Sequence, residues 1–439
     1  MKKVVKFGGS SLASAEQFKK VGDIIRSDAD RLFVVPSAPG KRDDKDTKVT
    51  DMLYGCYALA DADQDFSREL RDIKARYQQI IDGLELPLSL EEEFGKIEKL
   101  FGEKAGSNYA ASRGEYLNGI IMAAYLGFTF VDAAEVIFFD EDGNFDADRT
   151  NEVLSARLAD CENAVVPGFY GSMPDGSVKT FSRGGSDITG SIVAKAIKAD
   201  VYENWTDVSG FLIADPHIIH NPEAIDVITY RELRELAYMG VPVLHEDAIF
   251  PVRQQGIPIN IRNTNAPEDN GTWIVGSTCQ KSRFVITGIA GKKGYCSVNI
   301  EKDMMNSEIG FGRRVLQAFE DSGISFEHMP SGIDTLTVFV HQDEFMHKEQ
   351  QVVAAIHRLA EPESIEIESD LALIAVVGRG MKSTRGTAGR IFSALAHNNI
   401  NVKMIDQGSS ELNIIIGVAN EDFENAIRAV YDIFVIAQL

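Results

Sequence analysis

Residues 6–17, KFGGSSLASAEQ, place a lysine, two glycines and two serines where an amino-terminal strand turns into a helix. Lys2 to Phe7 is short, β-prone and apolar at alternate positions. Gly8 and Gly9 after it admit backbone conformations that other residues avoid. Ser14 and Gln17 have the spacing of a capping box, and Phe18, Val21 and Ile25 recur at helical intervals. A strand that ends in exposed N–H groups near a helix N-terminus, with Lys6 at its mouth, is an anion cradle. The same residues also fit an ordinary tight β–α turn with a surface lysine, so the rest of the chain has to decide.

Length and charge narrow the setting. A chain of 439 residues exceeds one core, and two or three domains are expected. The formal net charge of −22 argues against nucleic acid or an anionic membrane as the main partner, so a phosphate ligand would need a local positive pocket. Cys56, Cys161, Cys279 and Cys296 are scattered without CxxC or CxxH spacing, which indicates neither a disulfide framework nor a metal site and fits a reducing compartment. No apolar run approaches the ~20 residues of a membrane helix. The start, MKKVVKFGGSS, lacks the apolar core of a signal peptide, and a soluble cytoplasmic protein is expected.

Along the chain, RLFVV (31–35) is a second β run, and the polar segment 36–51 after it, broken by prolines, reads as a mobile loop. Helical patterns fill much of 50–126, and β signals return at FTFVDA (128–133) and NAVVPGFYG (163–171). Strands alternating with helices imply an α/β fold with a mainly parallel sheet sandwiched by helices, whose ligand lies at the carboxyl ends of the strands. Four loops there carry unusual residues. FSRGGSDITGSIVAKAI (181–197) repeats the opening logic, with Arg183 at its mouth, Gly184 and Gly185 ending a loop, and Ser186 and Asp187 at a cap position. NWTDVSGFLIADP (204–216) puts Thr206 and Asp207 at a strand end, SRGEYLNGIIMAAYL (112–126) puts Glu115 in the first turn of a helix, and VVPSAPG (34–40) offers Ser37. Each alone reads as a cap or turn residue; their coincidence on one sheet edge points to a site.

The ordered set KFGGSS, GEYLN, PGFYG, RGGSD, TDVSG with ADP, and VLHEDAIFP followed by IPINIRNT resembles the aspartokinases of the amino acid kinase family, over nearly the whole chain. No P-loop signature occurs; SAPGKR and IAGKKG lack its first glycine and its hydroxyl. The resemblance implies ATP-dependent phosphorylation of the side-chain carboxylate of L-aspartate, with Mg²⁺ bridging the phosphates, as the first step of lysine, threonine and methionine biosynthesis. It gives Lys6, Gly8, Gly9, Ser10, Thr206, Asp207 and Asp215 to ATP, with Lys6 and Asp187 as the catalytic pair. Ser37, Thr50, Phe169, Arg183, Gly185 and Ser186 join Glu115 in the aspartate pocket. A free amino acid needs an acidic and a basic partner, and Glu115 suits its ammonium while Arg183 suits its α-carboxylate through a bidentate fork.

Two positions depart from the pattern: Pro242 stands before VLH where many aspartokinases have lysine, and His217 follows ADP where they have arginine. Lys41, Arg42, Lys45 and Lys48 in the 37–50 loop could substitute, or belong to a solvated charged loop, and Thr47 competes with Thr50 for the alignment. A non-catalytic amino-acid sensor on a kinase scaffold is the rival reading from another class. Kinases of glutamate or acetylglutamate are the rivals within the enzymes.

Near residue 275 the composition changes. From 284 onward, strands are expected at about 284–290, 295–301, 324–329, 334–340, 364–368, 371–378, 400–405 and 411–418, with helices near 310–321, 346–359, 386–397 and 421–431. Eight strands and four helices make two ferredoxin-like βαββαβ units. Residues 295–368 read as a complete unit, and 371–439 lacks one strand, which 284–290 can supply. One unit is then inserted in the other, after a catalytic domain at 1–278. That arrangement agrees with the paired ACT domains of aspartokinases, so feedback inhibition by lysine or threonine and a homodimer formed through sheet edges are implied by resemblance. The effector is expected at MMNSEIGFGRRV (304–315) and ISFEHMPSGID (324–334), with Met305, Gly310, Ser325, Glu327, Ser331 and Asp334 around it.

Overall fold

The computed structural model describes residues 1–437 apart from 183, 242, 243, 245 and 279–281. The chain divides into two compact units, Met1–Phe211 with Asp226–Tyr230 and Leu244–Thr278, and Leu212–Ile225 with Arg231–Val243 and Cys279–Leu439.

The first unit begins with β1 (Lys3–Phe7), α1 (Ala15–Arg26) and β2 (Arg31–Pro36), followed by four helices, α2 (Val49–Asp61), α3 (Ser67–Gly83), α4 (Glu91–Gly102) and α5 (Ser107–Leu126). Next come β3 (Thr129–Phe130), α6 (Ala133–Val136), α7 (Ala147–Ala159), β4 (Ala164–Val165), the hairpin β5 (Tyr170–Ser172) and β6 (Val178–Thr180), α8 (Gly185–Ala196) and β7 (Val201–Thr206). β8 (Val227–Thr229), α10 (Glu246–Gln255), β9 (Ile259–Asn263) and β10 (Thr272–Val275) complete it, while α9 (Tyr230–Tyr238) lies in the second unit from Arg231 onward. Eight strands form one sheet in the order β3-β4-β2-β1-β7-β9-β10-β8, parallel except between β9 and β10. Helices cover the central strands, which explains why β2, RLFVVP, is a near-continuous apolar run and why β1, KVVKF, is buried from Val4 to Phe7 with Lys6 included.

α1 starts at Ser14, whose hydroxyl accepts the Gln17 N–H at 3.4 Å. Only this half of the capping box forms, because the Gln17 side chain instead donates to Asn265 Oδ1 at 3.3 Å. Phe18, Val21 and Ile25 are buried in a cluster with Leu53, Tyr77, Phe94, Phe101 and Ile121 of the helices α2–α5. Each large apolar side chain buried there contributes about 1.5–3 kcal/mol.

Two local expectations are corrected. The loop after β2, expected to be mobile, is tied down: Gly40 N–H donates to the Gly9 carbonyl at 2.8 Å, and buried Arg76 bonds Asp46 at 2.5 Å and the Gly40 carbonyl at 2.8 Å. FTFVDA forms only the two-residue β3, since Asp132 caps α6 by accepting the Ala134 N–H at 3.0 Å and so ends the extended run.

In the second unit, β11 (Gly288–Glu301), α11 (Phe311–Asp321), β12 (Phe326–His328), β13 (Thr335–His341), α12 (Gln342–Met346), α13 (Glu349–Ala360), β14 (Ser364–Val377), α14 (Thr387–His397), β15 (Met404–Asp406), β16 (Asn413–Ala419) and α15 (Phe423–Tyr431) follow in order. Here six strands replace the eight expected, because four fuse in pairs into the 14-residue β11 and β14. The ladder shifts register at Lys293/Tyr295, beside Gly294 (φ 91°), and again at Tyr295/Ser297, where Asp370 (φ 59°) is skipped; a bulge of this kind re-aims a strand without ending it. The sheet order is β12-β13-β11-β14-β16-β15. β13 pairs with the half of β11 at 295–301, and β16 with the half of β14 at 371–377, so each half of the long pair serves its own four strands. The helix expected at 346–359 is α13, preceded by the separate short α12.

Candidate active site at the carboxyl ends of four parallel strands

β4, β2, β1 and β7 are neighbours, and the segments leaving their carboxyl ends carry Phe169, Ser37, Gly8–Ser10 and Thr206–Asp207 respectively. One edge thus collects most of the residues singled out in the sequence. Gly9–Leu12 forms a single 3-10 turn before α1. Gly8 N–H donates to the Trp205 carbonyl at 3.0 Å, prolonging the β1–β7 ladder. The cradle's free donors therefore begin at Gly9, a correction to the pairing of Gly8 with Gly9. Gly9 has a steric reason to be glycine: a Cβ would lie 2.9 Å from the Ala38 carbonyl oxygen. Gly40 would place one 2.6 Å from the Gly9 carbonyl carbon, so the 38–40 segment closes on the cradle. Sequence reading missed Gly40.

Lys6 is buried, and its Nζ lies 2.6 Å from Asp187 Oδ1. Asp187 comes from the first turn of α8, whose N-cap is Gly184 in the left-handed region (φ 59°), not Ser186 or Asp187 as the spacing suggested. Freed from capping, the Asp187 carboxylate faces Lys6 and also accepts from Asn204 Nδ2 at 2.8 Å. Gly168 and Gly185 let the β4–β5 loop press on this turn: a Cβ on Gly168 would sit 2.6 Å from Ser186 Oγ, and one on Gly185 2.5 Å from the Phe169 ring. Phe169 holds φ 81°, unusual outside glycine, with its N–H donating to Thr189 Oγ1 at 3.0 Å. Arg183 lies outside the described residues.

Glu115 departs from expectation in position. α5 begins at Ser107 after Gly106 (φ 99°), which puts Glu115 in the helix interior rather than its first turn, because the Ala-containing segment before it is itself helix-forming. It is 5% exposed, takes the Ala38 N–H, and leaves Oε2 without a partner. Burial pushes its carboxyl up to about 8, against the pull of the Ala38 N–H and of the cations Arg113 and Lys6. Arg113 is itself buried, 4.3 Å from the Tyr116 ring centroid and 4.6 Å from that of Tyr109. One turn on, buried Asn118 donates to the Ser37 carbonyl at 2.6 Å. The half-buried Thr50 approaches the same helix, its methyl 3.5 Å from where a Cβ on Gly114 would be. Thr47 lies in the exposed part of the loop.

Thr206 ends β7, and its carbonyl accepts the Thr264 N–H at 2.8 Å while Thr264 Oγ1 meets Ser11 Oγ at 2.8 Å. Thr264, in the quoted IPINIRNT, thereby links two loops of the site, a role its sequence did not reveal. Of the loop cations, Arg42 is already paired with Asp46 at 2.9 Å, and Lys41, Lys45 and Lys48 are exposed. Asp215 and His217 fall in the second unit, where Asp215 Oδ1 accepts the His217 N–H at 2.9 Å. Pro242 and Cys279 lie outside the described residues. Cys56, Cys161 and Cys296 are free thiols. Among the described residues there is no cluster of three or more His, Cys, Asp or Glu suited to a metal ion, and no helix long and apolar enough to cross a membrane.

In the second unit, Met305 begins a short 3-10 turn and Gly310 (φ 83°) caps α11. Asp334 Oδ1 accepts the Met304 N–H at 2.9 Å and Asn306 N–H donates to the Ile333 carbonyl, which brings these two stretches together. Ser325, Ser331 and Asp334 are exposed. Glu327 points elsewhere, its carboxylate 3.2 Å from His341 Nε2 and bonded to the Tyr238 hydroxyl.

Comparison with known proteins bears on this arrangement. Residues 1–263 match the model of the amino acid kinase family, and 374–434 match that of an ACT domain. Aspartokinase 3 of Bacillus subtilis is 40% identical over 447 residues, covering 98% of both chains. The chain belongs to the aspartokinase family. The crystal structure of Clostridium acetobutylicum aspartate kinase, 51% identical, superposes with a TM-score of 0.90 over 99% of this chain and 100% of that one. Escherichia coli aspartokinase III, crystallised with aspartate and ADP, is 23% identical and shares the fold, with a TM-score of 0.72 over 98% of this chain and 99% of its own. As an aspartokinase, the chain is a kinase with a carboxyl group as acceptor, joined to an ACT regulatory region.

Proposed function

We propose that the cradle at the ends of β1 and β7 takes the γ-phosphate of ATP and that aspartate, held beside Glu115, attacks it through its side-chain carboxylate to give 4-phospho-L-aspartate. The observation that carries this reading is the buried Lys6–Asp187 pair at 2.6 Å beside the Gly9 turn. The nucleophile is ionised at neutral pH, so no general base is required. What transfer needs is alignment and charge neutralisation. Lys6 and the N–H groups of Gly9 and Ser10 supply the latter, and Asp187 orients Lys6. Thr206 and Asp207 serve the nucleotide; Ser37, Thr50, Phe169, Gly185 and Ser186 shape the aspartate pocket, with Arg183 on the α-carboxylate. Mg²⁺ suits the site as a companion of the nucleotide, since this ion is commonly carried by phosphates with few protein ligands, and it neutralises phosphate charge when bound. The unpaired Glu115 oxygen offers the substrate ammonium an acceptor.

The same reading makes 1–278 the catalytic domain, 295–368 one ACT-like module, and 284–290 with 371–439 the module that holds it as an insertion. Lysine, threonine or both act at Met305–Gly310 and Ser331–Asp334, in a cytoplasmic homodimer formed through ACT sheet edges. Glu327, occupied by His341 and Tyr238, leaves Asp334 as the carboxylate facing that loop. ADP release measured with aspartate, glutamate and acetylglutamate side by side tests the assignment: aspartate alone should support rapid turnover, another substrate would make this a different kinase, and none would make it a sensor.

A further inference from the structure

Asn204 is the one amide side chain of β7, VYENWT, a buried strand whose other internal charged group, Glu203, is paired with Arg31 and Lys3. It is 3% exposed and stands directly beside Lys6 in the parallel β1–β7 register, so both side chains leave the same face of the sheet. Its Nδ2 donates to Asp187 Oδ1 at 2.8 Å, the very oxygen that Lys6 Nζ approaches to 2.6 Å, and it also bonds the Tyr202 hydroxyl. Tyr202 in turn donates to the Asp187 carbonyl at 3.1 Å. Alternate residues of β7 thus grip the first turn of α8.

The Lys6–Asp187 pair poses a problem for the reaction. A lysine that neutralises phosphate has to turn its ammonium toward the nucleotide, which weakens its hold on a carboxylate whose side chain is only 19% exposed. A carboxylate so placed and left without a donor is costly. We propose that Asn204 is a positioning residue that keeps Asp187 hydrogen-bonded when Lys6 swings to the phosphates, so that nucleotide binding does not strand a carboxylate. The inference rests on Lys6 being the phosphate ligand.

The titratable groups in contact with Asn204 are Asp187 and Tyr202, with Lys6 its register neighbour. In Asn204→Leu the donor is gone, and the dissociation constant for magnesium ATP, read by titration calorimetry, should rise about ten- to a hundredfold, as expected for a lost hydrogen bond to a charged group. The aspartate KM should change much less than the ATP affinity, since Asn204 bonds Asp187 and Tyr202 and none of the residues assigned to that pocket. Asn204→Asp adds a second carboxylate, which holds Lys6 more tightly and weakens ATP binding at pH 8. As pH falls and the pair takes up a proton, an O–H replaces the lost N–H donor, so the defect relative to wild type should shrink. A residue that only packs would show no such pH dependence. ATP affinity within twofold of wild type in Asn204→Leu, or equal losses of ATP and aspartate affinity with a pH-independent defect in Asn204→Asp, would overturn the inference. Wild-type ADP release with aspartate tests the kinase reading separately, and the ATP titrations decide the role of Asn204 even if that turnover is absent.

Discussion

Replacing Glu115 by glutamine removes a charge that its buried position resists holding. Its carboxyl is raised to about 8 by burial, so at pH 7 only about a tenth of the ligand-free molecules carry the charge that an ammonium needs. Binding competence then scales with that fraction, and the apparent aspartate affinity of the wild type should improve about tenfold between pH 7 and pH 9. Aspartate binding near neutrality should release a proton. The cations facing Glu115, Arg113 on the same helix and Lys6 on β1, lower its pKa against the larger effect of burial. The assay is the aspartate KM from ADP release at pH 6.5 to 9, with the ATP KM as control. Glu115→Gln should show a high aspartate KM that is flat across pH. Stability gives an independent check with a definite sign. The folded value lies above the unfolded one, so this group's stabilisation is complete below about 4.3 and is lost as pH rises through about 8. Ligand-free Glu115→Gln should therefore gain Tm over wild type as pH is raised from 5 to 8.5. A wild-type aspartate KM that is constant over the range, or a glutamine variant with the wild-type KM, would refute the reasoning.

Further expectations concern the cradle and the regulatory region. Lys6→Ala should keep the wild-type circular dichroism yet lose kcat by a hundredfold or more, since one phosphate-neutralising donor is worth about 3 kcal/mol in the transition state. Gly40→Ala drives a Cβ to 2.6 Å from the Gly9 carbonyl carbon; it should lower Tm and raise the ATP KM, and an unchanged variant would separate this segment from the cradle. Inhibition by lysine and threonine, alone and together, should fade in Asp334→Ala and persist in Glu327→Ala, whose carboxylate already has partners. The opposite pattern would move the effector. Arg183→Lys should raise the aspartate KM more than the ATP KM, because lysine cannot reproduce two parallel hydrogen bonds to a carboxylate.

The apolar run of β2 was legible because a parallel sheet covered on both faces demands it, and the helical spacing of Phe18, Val21 and Ile25 because α1 buries one face. Spacing alone was weaker on helix starts. Glu115 lies mid-helix because Gly106, not the segment around Gly114, ends the preceding turn, and Asp187 pairs with Lys6 because Gly184 takes the cap. Such outcomes depend on which group finds a partner across the fold. The fused strands β11 and β14 were hidden for a related reason: Gly294 and Asp370 look like chain breaks in sequence and lie at register shifts inside a continuous ladder. Gly40, Asn118 and Thr264 act on partners far away in the chain, at Gly9, Ser37 and Ser11, so no local pattern marks them. Asn204 did leave a trace, as an amide within a buried strand, where an unexplained polar side chain calls for a partner.

The most direct measurement is the identity of the trapped product. With ATP, magnesium and aspartate carrying ¹³C in its side-chain carboxyl, hydroxylamine should yield aspartate hydroxamate formed on the labelled carbon, dependent on ATP and lost in Lys6→Ala. No hydroxamate, a hydroxamate on the unlabelled α-carboxyl, or undiminished product from Lys6→Ala would contradict transfer to the aspartate side chain at this cradle.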